Sequence, residues 1–509
     1  MTGFLFSGGG GAAGGIEGIF SVKTYGAVGN GSTDDRASIQ AAIDAAQAAG
    51  VNSDAAVKGA VVWFPPGRYI VGAALHDNNS PHPVQIIGSG KYCTIIEGTL
   101  ASDYILKKDN LLGQSFTRIE NITIKNNSQA GGGGVLLRFL HGFLMQQAII
   151  QGFISLHVAD TQFNSTFINV ELAGFGSYLI GHTGCITGQN TFVACTALGY
   201  DVGFQWGSRY LGTDTGGAGG ISMTGCRTEG NNTGILIGQR PSGATTSCQG
   251  TITAFSTERC STGVYVKSGS ALCMDGITLT GDVGPFRPLT SASWSGGTAT
   301  YISAVSISAM PDTASWANGT TRTITVNGMS NALYDVANAT ATKVNNTTFT
   351  IVISNPGGTA TGGNWSAECQ YGLRIENCQN SKFSAVTVGG NTEVGDVYMA
   401  ALDGGGLTFQ SVLVGSWVLP PNYGKAGISY IQTNAPSLAL PYASLPTSGS
   451  SWMTFWLGLT GGTPEGTEYD ITDGQKAGTG TALFGDIVVG GGAQHIKVRY
   501  NGTNWTRCG

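Results

Sequence analysis

Hydrophobic and polar positions alternate in short runs through most of the chain, and one segment has a helical period. Between residues 34 and 50, Ile39, Ile43 and Ala46 recur at the spacing that lays an apolar face along a helix. Thr33 or Asp34 stands where such a helix is capped, and Gly50 where it stops. Residues 60–71 (AVVWFPPGRYIV) then predict a strand, a Pro-Pro-Gly turn and a second strand.

Beyond residue 85 the strand text repeats. The segment from Met223 (MTGCRTEGNNTGILI) aligns with that from Ile252 (ITAFSTERCSTGVYV) at an offset of 29. Thr228 then falls on Thr257, Glu229 on Glu258 and Gly234 on Gly263. A copy from Phe192 (FVACTALGYDVGFQW) fits at an offset of 31, with Gly203 under Gly234. Looser copies cover 147–158 and 169–180. Strand-turn-strand text at such a period predicts a solenoid. About a dozen coils would each rise by about 4.8 Å, with Ile, Val, Leu and Phe turned inward onto like residues.

The fold class expected is therefore all-β: a parallel β-helix with an N-terminal capping helix. Residues 1–19 read as a Gly-rich leader, 20–85 as the capping helix and first strands, and 86–287 as β-helix with one lengthened loop at 208–220. The rung pattern breaks over 288–367, whose alternating strands and Gly/Asn turns predict an inserted small β-sandwich. Residues 368–418 carry the last coils, 419–446 a Pro-rich linker, and 447–509 a small C-terminal β domain.

Composition narrows the partners. Charged residues are 11% of the chain and the net charge is −5, against about 25% charged in an ordinary domain. Without a basic excess, a nucleic-acid partner is not expected. No apolar run reaches the roughly 18 residues of a membrane span, so no membrane insertion is expected. Residues 1–15 lack a basic, apolar signal pattern, which predicts folding in a cytoplasm. The 81 glycines fit many tight turns. The ten cysteines show neither CxxC nor zinc spacing and read as reduced, buried thiols.

The stretch YGAVGNGSTDD (25–35), followed by Ile39-Gln40-Ala41-Ala42-Ile43 and then by Phe64-Pro65-Pro66-Gly67-Arg68-Tyr69, resembles the entry to the pectate-lyase-like domain of phage tailspikes. That resemblance implies a right-handed β-helix, a helix shielding its first coil, and a homotrimer. It implies action on a bacterial surface polysaccharide, capsule or O-antigen, from a virion tail. The end of the chain, from Gly485, also resembles C-terminal domains of tail fibres and spikes. The short leader implies attachment through another tail or baseplate protein.

Glycoside hydrolysis uses two carboxyl groups flanking the scissile bond. Equivalent positions on adjacent coils lie about 5 Å apart, so Glu229 and Glu258 are the expected acid and base. Their mutual repulsion is expected to favour one protonated and one ionised group. Stacked glutamates on a solenoid turn also serve as a plain solvated ladder. Asp201 is a reserve carboxylate, Asp214 in the long loop another, and Glu171 and Asp282 are weaker candidates. Trp206, Tyr210, Phe175 and Tyr200 offer flat faces for sugar rings. Trp294, Trp316 and Trp365 read as core of the insert. A lyase would need a Tyr, His or Lys base and a cation for a uronic carboxylate, and Arg209, Tyr210, His157 and His182 are candidates. No cofactor is expected. No metal is expected either, since GSTDD belongs to the helix cap and no Asp cluster suits calcium. A non-catalytic glycan-binding adhesin and a polysaccharide lyase are the alternatives.

Overall fold

The structure is a computed structural model of the chain. It describes residues 18–49, 60–78, 84–115, 117–128, 131–159, 163–174, 185–186, 189–199, 201–207, 219–239, 245, 247–280, 286–307, 316–367, 371–389, 395–399, 407–412, 417–418, 428–431, 468–476, 488–500 and 505–507. The chain divides into two compact units, Met1–Leu172 and Ala173–Gly509.

In the first unit short strands pair in parallel, each with strands one coil before and after. Three apolar columns result. Val62, Ile86, Ile119 and Met145 stack in register, as do Tyr69, Ile96, Ile124 and Ile150, and Leu75, Leu106, Val135 and Leu156. Every one of these side chains is buried, as the inward face of a parallel coil requires.

The helix Arg36–Ala49 packs Ile39, Ala42, Ile43 and Ala46 against the first strands. Its start differs from the expected cap. The Asp35 carbonyl takes the first helical hydrogen bond, from Ile39 N at 2.9 Å. The Asp34 carboxylate accepts from Arg36 N at 3.0 Å, while Thr33 accepts from Asn30 instead. The buried Asp35 carboxylate turns back to accept from Val28 N (2.6 Å) and Gly29 N (2.8 Å). This one side chain explains why the Gly-Ala-Val-Gly turn and the Asp-Asp pair occur together.

The second unit repeats the architecture. Phe192, Met223, Ile252, Met274, Phe383 and Phe409 form one column. Phe204, Ile235, Val264, Leu373 and Val397 form another. The repeated glycines also follow the rungs. A Cβ on Gly203 would lie 2.5 Å from the Gly234 carbonyl oxygen, one on Gly234 2.5 Å from that of Gly263, and one on Gly263 2.7 Å from that of Gly372. The repeat keeps glycine there because the coils approach too closely for a side chain.

The insert differs from the expected two-sheet sandwich. Its strands Arg287–Ser295, Thr298–Ser303, Thr321–Met329, Val336–Lys343, Thr348–Val352 and Thr359–Ala367 close into one six-stranded antiparallel barrel. The last strand pairs with both the first and the third, which removes the open edges of a sandwich. Tyr301, Trp316, Phe349 and Trp365 fill the barrel, with Tyr301 stacked on Phe349 at 5.2 Å. Trp316 and Trp365 are core residues as expected, and Trp294 packs partly buried against them.

Rung pairing also continues past the expected boundary at 418. Ile428–Ile431, inside the supposed linker, pairs in parallel with Leu407–Gln410. Near the end, Glu468–Lys476, Val488–Tyr500 and Trp505–Arg507 form an antiparallel sheet. Cys195, Cys226, Cys248, Cys260 and Cys378 are buried free thiols, Cys273 is a partly buried one and Cys93 an exposed one. No helix among the described residues is long and apolar enough to cross a membrane.

Candidate functional site

The short strands Arg227–Glu229 and Ser256–Glu258 lie on adjacent coils of the second unit, with Glu229 directly opposite Glu258. Both side chains reach the surface, 21% and 48% exposed respectively. They do not face each other as bare charges. Arg227 pairs with Glu229 and, at 2.7 Å, with Glu258, and Arg259 pairs with Glu229 from the other side. The two guanidiniums offset the expected repulsion. Arg259 holds a left-handed backbone (φ 52°), where the equivalent residues of the two preceding coils are Gly199 (69°) and Gly230 (67°). An L-residue there costs about 1–2 kcal/mol, and the turn retains one that grips Glu229.

Asp201 does not join this pair. Its carboxylate accepts from Asn232 Nδ2 at 2.7 Å. The Asn232 side-chain oxygen accepts from Arg287 at 3.0 Å, and the Arg287 guanidinium lies 4.8 Å from the Trp365 ring. Asp201 therefore belongs to a polar bracket that roots the barrel on the turn after Glu229.

Trp206 is a correction. It is fully buried, in register with Ile237 and Ile186, so it fills the core and cannot stack on a sugar. Arg209, Tyr210 and Asp214 lie outside the described residues, as do Phe175, Tyr200, His182 and Asp282. Glu171 is partly buried on the strand Phe163–Ala173. In the first unit, His157 is buried and its Nδ1 lies 2.7 Å from the hydroxyl of the half-buried Tyr104. The Tyr104 ring crosses Gly133, where a Cβ would meet it at 2.2 Å.

A further cluster escaped the sequence reading. Tyr265, Arg374 and Tyr398 stand in register on three successive coils of the second unit. The Arg374 guanidinium lies 4.5 Å from the Tyr265 ring, 5.1 Å from Tyr371 and 5.7 Å from Tyr398. Glu376 accepts from Arg374 at 2.6 Å and from the Tyr265 hydroxyl at 2.5 Å. Burial, reinforced by that bond to Glu376, pushes the Tyr265 phenol well above its ordinary range. Burial also raises Tyr371, with Arg374 and Arg322 of the barrel pulling the other way. Among the described residues no group of three His, Cys, Asp or Glu side chains is placed to hold a metal ion.

A family model described as "Rhamnogalacturonase A/epimerase, pectate lyase-like" matches residues 19–284, over half of the 509-residue chain. The chain belongs to this pectate-lyase-like family. Among curated proteins it resembles the mannuronan C5-epimerase AlgE6 of Azotobacter vinelandii, 42% identical over 87 residues. That alignment covers 15% of this chain and 8% of the epimerase, so the chain spans a small fraction of that relative's length. Among solved structures it is similar to ORF18 of Geobacillus virus E2, with a TM-score of 0.45 at 11% identity, over 96% of this chain and 75% of that one. It is also similar to the N-terminal fragment of bacteriophage Phi29 gene product 12, with a TM-score of 0.44 at 12% identity, over 82% and 66% of the two chains.

Proposed function

We propose that this pectate-lyase-like chain binds and depolymerises a bacterial surface polysaccharide by glycoside hydrolysis, as a homotrimeric spike of a phage tail. The observation that carries the chemistry is the in-register pair Glu229 and Glu258 on a surface rung. Glu229, gripped by two arginines, is the carboxylate that acts ionised. Glu258, more exposed and held by Arg227 alone among the described residues, exchanges the proton with the glycosidic oxygen once a sugar displaces that guanidinium. The resemblance of residues 25–69 to tailspikes supports the setting, and sedimentation as a stable monomer would remove the trimer from it.

The test incubates capsule or O-antigen with wild type, Glu229→Gln and Glu258→Gln, and follows chain length by size-exclusion chromatography. Each variant is expected to lose at least about a hundredfold in rate. Full activity in both refutes the assignment. Binding without any shortening by wild type makes the chain an adhesin.

A second reading, proton abstraction from a uronic sugar, is favoured by the Tyr104–His157 contact. A phenol hydrogen-bonded to an imidazole is a base with a proton acceptor in place. Lysis of that kind leaves an unsaturated, ultraviolet-absorbing chain end, and epimerisation changes the sugar composition without one. Products with neither sign exclude both.

A further inference from the structure

Two thiols lie on adjacent coils inside the second unit, beside the carboxylate rung. Val193 pairs with Thr224 and Thr196 with Arg227, so the same register sets Cys195 opposite Cys226. A backbone bond from Arg227 N to the Cys195 carbonyl, at 2.9 Å, ties the two coils at that point. Both side chains are buried, at 1% exposure. Cys195 Sγ donates to the Val193 carbonyl at 3.5 Å, and Cys226 Sγ reaches back across the coil to the neighbouring Phe192 carbonyl at 3.6 Å. The sulfurs therefore converge. A coil spacing of about 4.8 Å falls within the roughly 4.4–6.8 Å between Cα atoms that a disulfide spans.

Surroundings also separate this pair from Cys260 and Cys378. Burial pushes those two thiols up, whereas the hydrogen bond with Cys195 outweighs burial and pulls Cys226 below its ordinary range. The thiolate is the reactive form. The cover over the pair is one turn thick: Ala194 and Gly225, each the residue before a cysteine, are exposed, and a Cβ on Gly225 would meet nothing within 4 Å.

We infer that Cys195 and Cys226 are a peroxide-reactive pair that closes into a disulfide between adjacent coils. The Cys226 sulfur, having released its proton, attacks one oxygen of hydrogen peroxide; the S–O bond forms, the O–O bond breaks, and the departing hydroxide takes that proton to become water. Cys195 then attacks the sulfenic sulfur, the S–S bond forms, and the hydroxyl leaves with the Cys195 proton as a second water. Two thiols are oxidised by two electrons and one peroxide is reduced. A reducing cytoplasm keeps the pair open. Outside it, the bond staples the coil that carries Arg227 and Glu229 to the coil before.

Peptide mapping of the full-length chain tests this. Reduced protein is exposed to hydrogen peroxide, unfolded in an alkylating reagent and digested without reductant. The expected product joins the peptide carrying Cys195 to the one carrying Cys226 and is lighter than their sum by about 2 Da, the two hydrogens lost, while Cys260 and Cys378 are still alkylated. Cys195 and Cys226 recovered as alkylated thiols alongside an oxidised Cys93 overturn the pair. So does Cys226 carried on to sulfinic acid with Cys195 untouched, or a bond from either to another cysteine. Closure should also slow unfolding in urea at least about tenfold, because it constrains the unfolded chain, and dithiothreitol should restore the original rate. Cys226→Ala should show neither the linked peptide nor the slowing; where that variant does not fold, the wild-type map decides. Unfolding as fast with the bond as without it refutes the staple. Neither measurement involves a glycan, so both hold whatever becomes of Glu229 and Glu258 as acid and base.

Discussion

Lys108 and Asp77 form an ion pair in the first unit with no solvent exposure at either side chain. The Lys108 ammonium also donates to the Val84 carbonyl at 2.9 Å, and Gln47 of the capping helix donates to the Asp77 carboxylate at 2.7 Å. An ion pair at about 4 Å gains about 4 kcal/mol at an effective dielectric near 20. Desolvation removes several kcal/mol from each ion. The pair as a whole therefore adds nothing to stability over an apolar pair of the same volume, yet each half depends on the other. Lys108→Met strands a carboxylate with one amide donor, and Asp77→Leu strands an ammonium with one carbonyl. Each single change is expected to cost about 3–5 kcal/mol, or roughly 10 °C in the melting temperature of a transition confined to the first unit, Met1–Leu172. The double variant Lys108→Met/Asp77→Leu should recover most of that loss, because no buried charge remains.

Circular-dichroism melts of the full-length chain give the four corners of the double-mutant cycle. Digestion within the segment 36–49 reports whether the capping helix loosens through Gln47. A double variant as unstable as the sum of the singles would show that the two charges do not compensate each other. A Lys108→Met variant with wild-type stability would show that Asp77 is not held in a dry, charge-dependent pair.

Two other perturbations follow from the same coils. Tyr69 donates to the Pro65 carbonyl at 2.9 Å, and burial, then Asp35, raises its phenol from 10 to about 12. The folded state favours the protonated form, so this stability is complete below pH 10 and disappears as pH rises toward 12. Tyr69→Phe should cost about 1 kcal/mol at neutral pH and flatten that alkaline loss in a pH series of melts; an unchanged alkaline slope excludes Tyr69 as its source. Gly234→Ala places a methyl 2.5 Å from the Gly263 carbonyl and 2.7 Å from Thr228 Oγ1. It should destabilise by about 1–3 kcal/mol, where Gly225→Ala, with open space around it, answers only to its left-handed backbone; equal melting losses in the two variants would refute the close-packing account.

The stacking of Glu229 on Glu258 was legible because one offset, 29 residues, fits a run of matches on both sides of the pair. The same frame carried the information that was missed at Trp206. With Gly203 under Gly234, Trp206 falls under Ile237 and Val266, an inward column. A tryptophan beside a lengthened loop looked like a sugar platform, and the column decides otherwise. Closure of the barrel was not legible. Alternation marks each strand of the insert, but pairing of Thr359–Ala367 with both the first and third strands is a long-range contact that no local pattern encodes. The buried ion pair was hidden for a different reason: a Lys-Lys-Asp run at 107–109 reads as surface, and only the coil places Lys108 on Asp77.

The Arg374 cluster shows how an insertion conceals a grouping of side chains. Without the barrel, the strand Thr262–Val266 would be followed about one period later by its neighbour in the stack. The barrel spaces them so that Tyr265 and Arg374, paired in register, stand 109 residues apart. A search for matches at thirty-residue offsets crosses Leu236 to Tyr265 and then fails, so the third tyrosine and the arginine fall out of frame. The barrel is not a neutral interruption at that point. Its Arg322 bears on Tyr371, and its Arg287 is bonded to Asn232 beside the glutamate turn. One inserted domain thus contributes a cation to the aromatic cluster and a bracket to the carboxylate rung. The solenoid supplies repeated side chains at fixed spacing, and the insert gives two of those repeats neighbours from outside the coil.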